Sequence, residues 1–132
     1  MNREILFRAK CKVDGKWVEG YVIKNYGVCL IMTPAPRSIV YSIDPNTICQ
    51  YTGETDKHRQ RIYEGDILEA HLDDLFPGDV TRVCVVFENM KWCLVQKGRI
   101  PDPFETGEGK YWEVIGNVFD NPELIGDERW QK

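Results

Sequence analysis

The stretch "QYTGETDKHRQRIYEGDILEAH", Gln50 to His71, decides how this chain folds. Its acids, bases and histidines read either as an active site or as an elaborate turn. The turn reading accounts for more of the residues. Gly53 follows a strand ending at Tyr51-Thr52, and Gly65 precedes the strand "DILEAH". Both stand where the chain changes direction, and glycine there allows a backbone angle or close approach that a side chain forbids. Asp56 and Asp66 are short acceptors beside turns, the residue type that bonds nearby backbone N–H groups. Ile62, Tyr63 and Ile67 are apolar anchors. "IYEGDI" then reads as strand, sharp corner, strand: the entry into a small barrel.

The chemical alternatives are less well supported. Glu64, Asp66 and Glu69, with Asp73 and Asp74 beyond, supply oxygen ligands for a divalent cation, but their spacing does not match a calcium loop. His58 and His71 are the two histidines, and no nucleophile signature accompanies either. They read as an exposed loop residue and an edge-of-strand residue. Lys57, Arg59 and Arg61 stand at alternate positions. In an extended segment they project from one face and, with Tyr51 or Tyr63 nearby, suit a phosphate backbone with a stacked base. A solvated loop whose cations balance nearby acids is the plainer reading. Catalytic residues, metal ligands and cofactor sites are therefore not assigned. Gly53, Asp56, Tyr63, Gly65 and Asp66 are assigned a structural role.

Bulk properties narrow the class. A chain of 132 residues makes one domain or two small lobes. With 42% hydrophobic and 29% charged residues, and four Trp, six Tyr and five Phe to fill a core, a soluble globular protein is expected. A net charge of −4 and a pI of about 5.2 disfavour a general nucleic-acid binder, whose affinity comes from neutralising phosphates. No apolar run is long enough to cross a bilayer, and "MNREILFRAK" has no signal-like apolar stretch. A cytoplasmic location is expected. Cys11, Cys29, Cys49, Cys84 and Cys93 are well separated and mostly inside apolar runs, so they read as reduced, buried thiols; no Cys-x-x-Cys pair points to zinc.

Outward from the opening stretch, β-branched and aromatic runs alternate with Gly, Pro, Asn and Asp, the pattern of an all-β or β-rich fold. "EILFRAKCKV" (4–13) places Ile5, Phe7, Ala9, Cys11 and Val13 on one face and Arg8, Lys10 and Lys12 on the other. Asp14-Gly15 is a hairpin signal, and "KWVEGYVI" is the return strand. A two-residue loop faces Val13 with Lys16 and Lys10 with Glu19; a three-residue loop shifts that register by one, and both stay open. "VCLIM" (28–32) is continuously apolar, so burial on both faces is expected, and "TPAPR" ends it. "SIVYSI" (38–43) and "TICQY" (47–51) follow, with "DPN" as the turn between them.

A second block begins near Ile62: "DILEAH", "VTRVCVVF", "WCLVQ" and "YWEVIGNVF". Pro77-Gly78 marks a tight corner, and "ENMK" is a short hairpin connection. Residues 97–110 form the longest irregular loop and the expected mobile segment. Trp112, Val114, Gly116 and Val118 are expected to face the core, as are Val83, Val85 and Phe87. At the end, Asn121, Pro122, Glu123 and Gly126 have the order of a short helical turn: cap, first position, acidic first turn, closing glycine.

Several of these runs form a recognisable set. "REILFRAK", "WVEGYVI", "IDPNTICQYTGETDK", "RIYEGDIL", "VVFEN" and "WEVIGNVFDNPELI" resemble, in that order, the YopX family of phage and prophage proteins, from Arg3 to Ile125. Three positions depart from the family pattern. His58-Arg59 replaces a common Asn-Gly, which implies a looser loop; Asn89-Met90 stands where a turn glycine is usual; Lys10 replaces an aromatic residue. The resemblance implies an SH3-like barrel in the C-terminal half and a gene carried by a phage, prophage or other mobile element. It brings no catalytic residues with it.

The expected architecture is an N-terminal β-lobe over 1–52, a polar connecting loop over 53–61, an SH3-like small β-barrel over 62–120, and a short helical turn and tail over 121–132. The expected role is a non-enzymatic accessory protein that binds an unknown phage or host protein or associates with itself. The alternative is a weak nucleic-acid-binding module using Lys57, Arg59 and Arg61.

Overall fold

Turn chemistry cuts the apolar runs into short strands, and cross-strand pairing assembles them. The computed structural model describes residues 4–71, 80–96 and 98–126. The described strands are β1 (Phe7–Lys10), β2 (Trp17–Asn25), β3 (Val28–Met32), β4 (Val40–Ser42), β5 (Cys49–Thr55), β6 (Arg61–Tyr63), β7 (Asp66–Ala70), β8 (Thr81–Glu88), β9 (Lys91–Val95), β10 (Asp102–Pro103) and β11 (Glu113–Asn117). Helix is confined to 3-10 turns at Pro45–Thr47, Glu108–Tyr111 and Pro122–Leu124. The fold is all-β, with two antiparallel sheets. The chain divides into two compact units, Met1–Gly53 and Glu54–Lys132.

In the first unit the strand order is β4-β3-β2-β1-β5. Lys10 pairs with Trp17 and Arg8 with Glu19, so the hairpin has neither of the two registers left open by its sequence. Its loop is wider, residues 12–15. Gly15, at φ +71°, donates its N–H to the Cys11 carbonyl, and Asp14 Oδ1 accepts from the Lys16 N–H. Ala9 and Cys11 are buried, but Ile5 and Val13 lie beyond the paired segment and are exposed. The "DPN" turn is a 3-10 turn capped by Asp44, whose Oδ1 accepts from the Asn46 N–H.

The expectation for "VCLIM" needs correction: β3 is buried on one face only. Ile31 packs with Ala9 and Ile43, lined by Val18, Val22 and Tyr41. The reason is curvature. Cys11 bridges to Ile43, Lys12 N–H donates to the Ser42 carbonyl, and Asp44 N–H donates to the Lys10 carbonyl. These bonds draw the end of β4 back to the end of β1. The curled strands have one inside, which Ile31 fills; Leu30 and Met32 are left on the outside.

The second unit holds a sheet of order β10-β9-β8-β7-β11. Alternate residues feed two clusters, one on each face. Leu68, Ala70, Val83, Val85 and Leu94 join Ile62, Phe104 and Trp112 on one side. Ile67, Cys84, Val86, Cys93 and Val95 join Val118 and Ile125 on the other. Burial on both faces explains why "RVCVVF" and "KWCLV" are apolar without alternation.

Among the described residues this sheet is not closed, so the closed or nearly closed barrel expected over 62–120 is not confirmed. Its outer strands, β10 and β11, do not pair with each other. β10 is two residues long and ends in Pro103, which has no N–H to donate. The free edge of β11 is already occupied: Lys57 N–H donates to the Trp112 carbonyl, and Val114 N–H donates to Asp56 Oδ2. The parity expected along β11 changes midway. Val114 pairs with Leu68 but Gly116 with Ile67, so Ile115 is the extra residue of a bulge. Trp112 and Val114 therefore serve one cluster, while Ile115 and Val118 serve the other.

Other details differ from expectation. Phe87 is 49% exposed, because it lies past the covered part of β8 and meets Trp92 edge-on at 5.0 Å. Residues 98–110, the described part of the expected 97–110 loop, are more structured than irregular chain. They contain β10, bury Phe104, and pass Gly107 and Gly109 N–H groups to Glu54 Oε1. The corner at Pro77-Gly78 lies outside the described residues. Asn121 opens the last 3-10 turn without a side-chain bond to it; its Oδ1 accepts from the Asn117 N–H instead.

Two substitutions test these turns. Gly65 is buried at φ +84°, with its N–H bonded to the Val85 carbonyl and its own carbonyl to the Val118 N–H. Gly65→Val should cost about 1–3 kcal/mol in thermal melts, and Glu64→Ala clearly less. The reverse order would refute the corner. At the β8–β9 turn Asn89 and exposed Met90 have φ +52° and +67°, a pair of left-handed residues joining Glu88 to Lys91. Met90→Gly should stabilise by about 0.5–1 kcal/mol in urea unfolding, since a Cβ is costly in that conformation. A loss of stability would show that the turn has another geometry.

Candidate functional site

The residues singled out around Asp56 form a turn held by one carboxylate. Asp56 is buried. Its Oδ1 accepts from the His58 N–H at 2.8 Å and the Gln60 N–H at 2.9 Å, and its Oδ2 accepts from the Val114 N–H at 3.0 Å. Its backbone closes the same turn: Asp56 N–H to the Gln60 carbonyl, and Arg59 N–H to the Asp56 carbonyl. The looser loop implied by His58-Arg59 is not found. Arg59 takes the left-handed conformation, φ +65°, that Asn or Gly adopts more readily.

This turn separates the three cations. Lys57, Arg59 and Arg61 do not share one extended face, because the chain reverses between them. Lys57 Nζ lies 3.7 Å from Glu113 Oε2, and His58 Nε2 lies 3.6 Å from Glu113 Oε1, both at the exposed surface. Arg59 is exposed, and Arg61 starts β6. His71 is exposed at the end of β7. Asp66 is fully buried and its Oδ2 accepts from the Tyr63 N–H at 2.8 Å, which ties the two sides of the Gly65 corner together. Gly53, at φ +92°, bends β5 at the unit boundary. Glu69 pairs with Arg82 at 2.9 Å. Among the described residues no group of three His, Cys, Asp or Glu side chains is placed to hold a metal ion; Asp73 and Asp74 lie outside them. The five cysteines are free, four of them buried and Cys29 half-buried.

A surface suited to recognition lies instead on the first unit, on residues not singled out by sequence. The register of β2, β3 and β4 aligns Tyr21 with Met32 and Val40, Ile23 with Leu30 and Ser42, and Asn25 with Val28. These positions alternate with Val22, Ile31 and Tyr41, which serve the core, so they form the outer face of the curl. Tyr21 is 46% exposed, Ile23 40%, Val28 49% and Val40 49%; Leu30 and Met32 are half-buried between them. Isolated exposed apolar residues are ordinary, but six in adjacent register positions are a contiguous patch, a feature of interaction surfaces. The signal is present in "VCLIM", where both parities are apolar, a pattern that burial on both faces would also produce.

Comparisons with known proteins place the chain by family and by fold. The model of the family described as YopX protein matches residues 6–126. Among curated proteins none matches. The crystal structure of protein EF1440 from Enterococcus faecalis is similar at a TM-score of 0.60 and 19% identity, over 94% of this chain and 99% of that one. At that identity the likeness is one of fold. Among the described residues no helix is long and apolar enough to cross a membrane.

Asp56 gives a direct test of the turn. Asp56→Ala removes acceptors from three backbone N–H groups and should cost about 3 kcal/mol in urea unfolding. Asp56→Asn, which keeps one acceptor oxygen, should cost about half as much. An alanine variant unfolding at the parent midpoint would show that the carboxylate holds nothing together.

Proposed function

We propose a binding role without catalysis for this chain, which belongs to the YopX family. It acts by docking another polypeptide, from a phage, a host or a second copy of itself, on the outer face of β2, β3 and β4. The observation that carries this reading is the in-register apolar patch of Tyr21, Ile23, Val28, Leu30, Met32 and Val40. Covering such a patch releases water from apolar surface, and exposed contiguous apolar patches mark interaction surfaces. The family resemblance adds the context of an accessory protein encoded by a mobile element, and the separate, reduced cysteines suit a cytoplasmic one.

The test is the double variant Ile23→Lys, Val40→Lys. Both side chains are substantially exposed, so the variant should fold and melt within a few degrees of the parent. Parent and variant are compared by sedimentation velocity for self-association, and as crosslinking baits in host cells carrying the element. The variant should lose the association or the crosslinked partner that the parent shows. A parent that stays monomeric and captures nothing refutes the proposal. So does a variant that retains every contact.

A further inference from the structure

The second unit contains a cleft of about 240 Å³ that plays no part in the docking face. Its apolar lining comes from Val83, Leu94 and Trp112, all members of one core cluster. Its polar lining comes chiefly from Gln96, Arg99 and Asp102. Local structure brings these together. Asp102 stands in register beside Leu94, and the Arg99 N–H bonds to the Gln96 carbonyl, which turns the chain so that Arg99 borders the same space. Among the described residues neither the Arg99 guanidinium nor the Asp102 carboxylate is engaged in an ion pair. The cleft thus presents an apolar floor with one cation and one anion beside it.

We propose that this cleft binds a free α-amino acid with a branched or aromatic apolar side chain. The ligand's carboxylate meets Arg99, which can donate two parallel N–H bonds to it. Its ammonium meets Asp102, and its side chain lies on Val83, Leu94 and Trp112. The size agrees. The space is smaller than the pockets of about 300–1,000 Å³ that enclose drug-sized molecules, and it suits one side chain with its two charged groups. A purely apolar ligand would leave both charges unused, and a ligand of one sign would leave one.

The experiment is a 1H–15N NMR titration of the full chain with three probes: L-leucine, isocaproate, which lacks the ammonium, and isoamylamine, which lacks the carboxylate. Leucine should shift the amides of Leu94, Gln96, Arg99 and Asp102 and the Trp112 indole. Each one-armed probe should bind about tenfold more weakly, the loss of one charge-assisted contact. Arg99→Gln should bring leucine down to the affinity of isoamylamine, and Asp102→Asn to that of isocaproate. Both positions are exposed, so neither change threatens folding. The proposal is overturned if leucine shifts nothing at millimolar concentration, if the three probes bind equally, or if the shifts fall elsewhere.

Discussion

The carboxylate of Asp56 is the interaction on which the second unit depends. One buried side chain satisfies two N–H groups within its own turn and a third on β11, 58 residues away. A side chain that accepts from several backbone donors holds them together, and removing it would strand each donor in turn. In the same turn Lys57 donates its backbone N–H to Trp112. Trp112 is thereby held against Leu68, Val85 and Leu94, and the last strand is fixed before its bulge redirects Ile115 and Val118 to the opposite cluster.

The Gly65 corner has the same logic on a shorter scale. Asp66 caps Tyr63, and the two backbone groups of Gly65 reach β8 through the N–H and Val118 through the carbonyl. The left-handed backbone lets the chain turn while Ile62, Tyr63, Ile67 and Leu68 remain buried on either side. The two buried acids of this region, Asp56 and Asp66, are acceptors for backbone donors. They take up N–H groups that two tight turns leave without a strand partner.

What the sequence made legible was local. Glycines at positive φ, Asp at turns and the strand segments follow from backbone sterics and short-range hydrogen bonding, and these are encoded within a few residues. The hairpin loop at 12–15 escaped because Asp14-Gly15 suits several loop lengths, and the choice rests on which carbonyl Gly15 reaches. The outer face of β3 escaped because an apolar run records hydrophobicity without saying which side a curved sheet covers. A barrel was expected from the family resemblance and the strand pattern, although closure depends on whether the two end strands keep free pairing edges. The cleft near Trp112 joins residues from four chain segments, and no local pattern announces it.

The guarded edges of the second sheet bear on how this protein survives crowding. An unpaired strand edge is a template on which another chain can add itself. Here β10 ends in proline, and β11 is screened by the Asp56 turn, so neither edge invites such growth in the folded state. The two protections are unequal. Proline is a covalent block that no fluctuation removes, whereas the turn is a latch whose release needs only a local opening. A molecule whose latch has lifted exposes β11 while the rest of its sheet is still assembled. Local opening of this turn is enough to uncover a template for strand addition, with no need for global unfolding.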